Sequence, residues 1–192
     1  MASLSGLHLR SRLQGRLLRP RLRRIRLLVC DVDGVLTDGG LHYDEDGRVV
    51  KRFNVRDGLA VRMLQRAGIA VALLSGGRSG AIEQRARHLG IEHCRTGVGD
   101  KQAGLEQLRQ ELGMTREATA FLGDDLNDLA VRPACGLLIA PTDAADGLRQ
   151  QADWVLRRRG GGGALRELTE AVLASQGHLA ALHRHGWREG NG

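Results

Sequence analysis

At 192 residues, with 42% hydrophobic and 27% charged residues, the chain has the make-up of one globular domain with a sizeable core. Aromatic residues account for only 3%, which argues against a base-stacking nucleic-acid platform and leaves Leu, Val, Ala and Ile to fill the core. The net charge of +7 is misleading: residues 1–26 hold eight arginines and no acid, and without them 21 basic residues face 22 acidic ones, a balance of −1.

Residues 1–24 therefore read as a basic arm (Arg10, Arg12, Arg16, Arg19, Arg21, Arg23 and Arg24), with Arg26 just beyond. The expected form is a solvated amphipathic helix leading into the first strand. A nucleic-acid arm or an Arg-rich transit peptide shares this composition, but no nucleic-acid partner is expected. No apolar stretch reaches membrane-spanning length. Three scattered cysteines (Cys30, Cys94, Cys135), with no Cys-x-x-Cys pair, suit a reducing cytoplasm.

Ile25–Cys30 reads as a buried strand, followed by a hairpin of Leu41–Tyr43 and Arg48–Phe53 around an acidic turn. Asn54-Val55-Arg56-Asp57-Gly58 opens a helix whose face is Leu59, Ala60, Met63, Leu64 and Ala67, stopped by Gly68. A strand over Ile69–Leu74 ends at Ser75-Gly76-Gly77-Arg78, and a helix over Ser79–Leu89 is closed by Gly90. Ile91–Cys94 is a short strand, Asp100 starts a helix carrying Leu105, Leu108 and Leu112, and Thr119–Leu122 is a strand ending at Gly123-Asp124-Asp125. A helix to about Val131, a strand over Gly136–Ala140, a helix over Asp143–Gln150 and a strand over Ala152–Leu156 continue the alternation. After a glycine loop the last helix carries Leu165, Leu168 and Val172, and residues 176–192 read as an irregular tail. Continuous apolar strands alternating with helices predict a doubly wound parallel sheet, an α/β Rossmann-like domain over 25–175 with a hairpin flap.

Three strands end in polar groups: Asp31 and Asp33, then Ser75, then Asp124 and Asp125. Strand ends of a parallel sheet share one edge, so these groups converge there. Carboxylates crowded into one crevice need a counter-charge, and a hard divalent cation such as Mg²⁺ supplies it. Lys101, at a helix start, is one of only two lysines beside 27 arginines, the other being Lys51.

Asp31-Val-Asp-Gly-Val-Leu-Thr-Asp38, Ser75-Gly76, Lys101 and Gly123-Asp124-Asp125-Leu-Asn-Asp128 resemble, in order and spacing, the four motifs of haloacid dehalogenase-type phosphatases. The resemblance implies that Asp31 is the nucleophile, that Asp33 is the general acid and base, and that Ser75 and Lys101 hold the phosphoryl oxygens. It implies Mg²⁺ bound by Asp31, the Asp33 carbonyl and Asp124, with Asp125 and Asp128 orienting the ligands.

Only 36 residues separate Asp38 from Ser75, and 25 separate Ser75 from Lys101. Neither gap holds a cap domain of roughly 50 residues. Asn54–Gly58 and the stretch Gly160–Glu167 resemble the capless, homotetrameric phosphatases acting on 3-deoxy-D-manno-octulosonate 8-phosphate. That resemblance implies a phosphorylated sugar-acid substrate held by Asp33, Asn54, Val55, Arg56, Asp57, Gly58, Gly77, Arg78, Arg85 and Lys101. Two positions depart from the family: Gly77 stands where Arg is usual, with Arg78 one place later, and Gly162 where Lys or Arg is usual. The competing readings are a sister phosphatase for a nonulosonate 9-phosphate and a non-catalytic oligomerisation module of the same fold. A phospho-acceptor signalling domain would place adjacent acids after the first strand, unlike Asp31-x-Asp33.

Overall fold

The structure, a computed structural model, describes residues 4–188; the first three residues of the arm and the last four of the tail lie outside them. Helices α1 (Leu4–Leu17) and α2 (Arg19–Leu22) precede strand β1 (Leu27–Cys30) and the hairpin strands β2 (His42–Tyr43) and β3 (Val49–Val50). Helix α3 (Val55–Arg66), β4 (Ala70–Leu74), α4 (Gly80–Leu89), β5 (His93–Arg95), α5 (Lys101–Glu111) and β6 (Thr119–Leu122) follow. A 3₁₀ helix (Leu126–Ala134), β7 (Leu137–Ala140), α6 (Asp146–Gln151), β8 (Trp154–Val155), α7 (Ala164–Ser175) and α8 (Leu179–His185) complete the chain.

Period-two alternation explains the layers. Leu28 and Cys30 of β1 join an apolar cluster with α3, α4 and α7, while Leu27 and Val29 join a second with α5, the 3₁₀ helix and α6. β4, β6 and β7 divide their residues between the same two clusters. A strand apolar on both faces must be covered on both, which gives the doubly wound α/β fold. The sheet is wholly parallel in the order β5-β4-β1-β6-β7-β8, and the hairpin stands apart as its own two-stranded sheet. The order of connection reverses between β1 and β6, so a crevice opens at their carboxyl ends.

Side-chain caps set the helix starts facing this edge. Asn54 accepts from Arg56 N at 2.9 Å, Ser79 from Ala81 N at 3.2 Å and Asp100 from Ala103 N at 3.0 Å. These caps place Lys101 as the first residue of α5.

Local structure departs from the sequence expectation in four places. The segment after Asp125 is a 3₁₀ helix that runs past Val131 to Ala134, with Asp125 capping its start and Pro133 in its last turn. Helix α6 begins at Asp146, since the Asp143 carboxylate instead accepts from Gly160 N at 2.9 Å. The tail is not irregular throughout: α8 forms, Leu179, Leu182 and Trp187 pack on the core, and the Arg66 guanidinium lies 5.4 Å from the Trp187 ring centroid. The arm is helical but not simply solvated. Ser11 is buried, and its backbone and side-chain oxygens both accept from Trp154 Nε1 at 3.0 Å.

Asp153, beside β8, ties this edge together. It pairs with Arg21 at 2.9 Å, accepts from both terminal guanidinium nitrogens of Arg132, and accepts from Leu138 N at 2.9 Å. Burial pushes its carboxyl up, but Arg132, the Leu138 amide and Arg21 together hold it below the ordinary 3.8. A depressed folded value contributes stability above the unfolded value and loses it as pH falls through the folded one. Asp153→Ala is therefore expected to cost about 2 kcal/mol at pH 7. That deficit should shrink below pH 3.8, as compared by urea unfolding at both pH values. An equal deficit at both would show that lost packing, not charge, is responsible.

Candidate active site

The carboxyl ends of β1 and β6 bring Asp31 and Asp124 into the crevice, and the first turn of the 3₁₀ helix after β6 adds Asp128. One carboxylate oxygen from each of the three lies within 4.8 Å of the others. Asp128 is fully buried, and its Oδ2 accepts from the Asp124 and Asp125 amides at 2.8 and 3.3 Å. Asp125 points outward, capping the 3₁₀ helix through Leu126 N at 2.7 Å.

Lys101 is the protein cation within this group. Its side chain is 3% exposed, with Nζ 2.7 Å from Asp31 Oδ2 and 2.6 Å from Asp128 Oδ1. Burial pushes the ammonium down, but Asp31 and Asp128 more than offset that and hold it charged. One lysine does not balance the group. Burial and then Asp128 push the Asp31 carboxyl up to about 6, against the pull of Lys101. Burial, then Asp31, Asp128 and Asp125, push Asp124 up to about 7. No donor among the described residues reaches the Asp124 carboxylate. An oxygen-only donor set short of positive charge fits a hard divalent cation. Cys30 does not compete as a nucleophile, because burial and the charges of Asp57 and Asp31 push its thiol up.

The turn after β1 is shaped by glycine. Gly34 has φ +74°, and a Cβ there would fall 1.9 Å from Asp124 Oδ2. A second glycine, Gly160 of the C-terminal loop, lies against the back of this turn, where its Cβ would meet Gly34 O at 1.8 Å. Gly161 N donates to Val35 O at 2.9 Å, fastening the loop to the turn.

Asp33 sits at the mouth of the crevice. Its Oδ1 accepts from Lys51 Nζ at 2.5 Å and from Thr37 Oγ1 at 3.3 Å. Its Oδ2 faces Gly77 beside Ser75: a Cβ on Gly77 would lie 3.4 Å from Asp33 Oδ2 and 3.7 Å from Ser75 Oγ. Ser75, 1% exposed, accepts from Gly77 N at 3.2 Å. Asp31, Asp33, Ser75, Gly77, Lys101, Asp124 and Asp128 thus form one constellation.

The remaining expected substrate contacts lie outside it. Asn54 Nδ2 donates to Gly161 O at 3.0 Å, and Asp57 accepts from Gly163 N at 3.2 Å and Arg166 N at 2.9 Å. Both side chains hold the C-terminal loop and the start of α7 in the same chain. Arg85 lies behind them, donating to Asn54 O at 3.2 Å and covering the Phe53 ring, and it fills the space a side chain at Gly58 would need. Val55 is exposed. Arg56 turns toward a cavity of about 770 Å³ between α1, α2 and α7, which it lines with Arg12, Arg16, Arg19 and Arg158. Glu167 and Glu170 also line that cavity, but none of Asp31, Asp33, Asp124 and Asp128 does. Arg78 is exposed and lies over Gly97, whose Cβ would fall 2.2 Å from Arg78 Nε. Lys51, Thr37 and Asp143 join this network without a role marked by any sequence motif. The rarity of lysine was the one signal for Lys51.

A family described as haloacid dehalogenase-like hydrolase matches residues 45–136. The 3-deoxy-D-manno-octulosonate 8-phosphate phosphatase KdsC of Haemophilus influenzae is 43% identical over 157 residues, covering 82% of this chain and 87% of that protein. The crystal structure of the corresponding Yersinia pestis phosphatase superposes with a TM-score of 0.83 at 40% identity, covering 85% of this chain and 88% of that one. That of the Moraxella catarrhalis phosphatase, in complex with magnesium ion, phosphate ion and KDO, superposes with a TM-score of 0.85 at 34% identity, covering 88% and 97%.

Proposed function

This chain belongs to the haloacid dehalogenase-like hydrolases, among the 3-deoxy-D-manno-octulosonate 8-phosphate phosphatases, and on that premise we propose that it hydrolyses this sugar-acid phosphate through an aspartyl-phosphate. The observation that carries the reading is the buried Lys101 bridging Asp31 and Asp128 beside Asp124, where β1 and β6 part.

Asp31 attacks phosphorus in line, forming an Asp31 O–P bond as the bond from phosphorus to the sugar oxygen breaks. The leaving alkoxide takes its proton from Asp33. Asp33, now a carboxylate, removes a proton from water, whose oxygen attacks the phosphorus, frees phosphate and restores Asp31. Ser75 and Lys101 hold the phosphoryl oxygens, and Lys101 also keeps Asp31 ionised and aimed. Asp31, the Asp33 carbonyl and Asp124 would hold Mg²⁺, and Asp125 and Asp128 would orient the ligands. Bound there, it supplies positive charge to the phosphoryl oxygens.

Arg78, beside the crevice, takes the place of the cation that Gly77 lacks and grips the sugar-acid carboxylate. Leu41, Tyr43 and Val50 are exposed on the hairpin, which supports a homotetramer assembled through the flaps. No described helix is long and apolar enough to cross a membrane, and the reading places the enzyme in the cytoplasm. A second reading, a sister enzyme for a nonulosonate 9-phosphate, rests on Gly77 and Gly162.

Phosphate release from a panel of phosphorylated sugar acids and hexose phosphates tests the substrate. Octulosonate 8-phosphate is expected to lead hexose phosphates by roughly 10²-fold in kcat/KM. EDTA should stop turnover and Mg²⁺ should restore it. Equal rates on hexose phosphates would overturn the substrate assignment, a lead for the 9-phosphate would favour the sister enzyme, and turnover in EDTA would overturn the metal.

A further inference from the structure

The chain has two lysines, and each ends on one of the two aspartates of the nucleophile turn. Lys101 reaches Asp31; Lys51, just after β3 of the flap, reaches Asp33. Lys51 is out of keeping with its surroundings. Val50 before it is 55% exposed and the Arg52 side chain after it 74%, yet the Lys51 side chain is 3% exposed. A flap with two short strands buries an ammonium only where a partner compensates it, and here that partner is Asp33 Oδ1 at 2.5 Å. Thr37 Oγ1 donates to the same oxygen, and the Thr37 hydroxyl in turn accepts from Gly39 N at 3.2 Å. Both donors occupy Oδ1. No described residue donates to Oδ2, which faces Gly77 and Ser75 across the crevice.

We propose that Lys51 is a positioning residue: with Thr37 it pins Asp33 by Oδ1 so that Oδ2 carries the proton delivered to the leaving sugar oxygen. The inference rests on the phosphatase reading above and extends it to the flap, which then orients the general acid. A compact ammonium suits this place because it bonds one oxygen and leaves the other free. A planar guanidinium takes both oxygens of a carboxylate. In the step concerned, Asp31 bonds to phosphorus, the bond from phosphorus to the leaving oxygen breaks, and that oxygen takes the Oδ2 proton.

The test compares leaving groups in a single turnover, so that only formation of the aspartyl-phosphate is read. An alkyl phosphate needs the proton from Asp33, whereas p-nitrophenyl phosphate expels a stable phenolate without it. Lys51→Met is expected to slow release of the alcohol from octulosonate 8-phosphate by about 10²-fold and release of p-nitrophenolate far less. Lys51→Arg, which keeps the charge and guards against a flap that fails to fold, should shift the ratio of the two rates in the same direction. An equal loss on both substrates would assign Lys51 to the phosphoryl group or to the fold, and no loss on either would remove it from the reaction; both overturn the proposal. If the wild type prefers another alkyl phosphate, the comparison is made with that one. The Lys51 result and the substrate assignment can therefore fail separately.

Discussion

Asp31→Asn is expected to lower kcat by at least about 10⁴-fold, the scale seen when a covalent nucleophile is removed. The amide keeps the size of the carboxylate and can still accept from Val32 N, which donates to Asp31 Oδ1 at 2.6 Å. Lys101 retains Asp128, so the buried ammonium is not stranded. One carboxylate leaves a crowded trio, and the fold should be no less stable than the wild type. The expected result is therefore a folded protein that releases no phosphate above background and forms no acid-stable phosphoryl-enzyme. Acid-quench labelling with a ³²P-labelled substrate reads the second point directly. Residual activity within tenfold of the wild type would mean that water, not Asp31, attacks phosphorus.

Lys101→Met carries the largest expected structural cost. It leaves the carboxylates of Asp31 and Asp128 facing each other without the ammonium that touches both. Removing one partner of a buried ionic group costs about 3–5 kcal/mol. At about 2–4 °C per kcal/mol for a chain of this size, the melting midpoint should fall by roughly 10 °C. Two readouts separate charge from lost packing. Mg²⁺ should raise the midpoint of the variant more than that of the wild type, since a second cation at Asp31 replaces part of the lost charge. The deficit should also narrow from pH 8 to pH 5. Asp31 stands near 6 even with Lys101 present, and without it should be raised further. A folded value above the unfolded one confers stability at low pH that is lost as pH rises through it, so acidification favours the variant. The rate should fall about 10²–10³-fold as well, the scale for losing a group that stabilises transition-state charge. A deficit independent of both pH and Mg²⁺ would show that Lys101 matters here only as packing.

The local sequence determined the parts of this protein that depend on short-range pattern. Continuous apolar runs mark the strands, and Asn54, Ser79 and Asp100 at one end and Gly68 and Gly90 at the other mark helices, within a few residues of their observed bounds. Parallel strands share an edge, so the sequence alone puts Asp31, Ser75 and Asp124 together. Tertiary structure decided what distance along the chain concealed. Lys51 lies 18 residues from Asp33 on a flap whose pattern predicts only a hairpin, and only the docking of that flap shows that its ammonium is buried. The local sequence shows no partner for Asn54 or Asp57, yet both bond to a loop and helix more than 100 residues away. Their polar groups are satisfied within the chain because the glycine loop lies close enough to the Asp31 turn to leave no room for a Cβ. Residue type and spacing carry the proposed chemistry, whereas the orientation of each group in the crevice follows from packing between segments that the sequence keeps far apart.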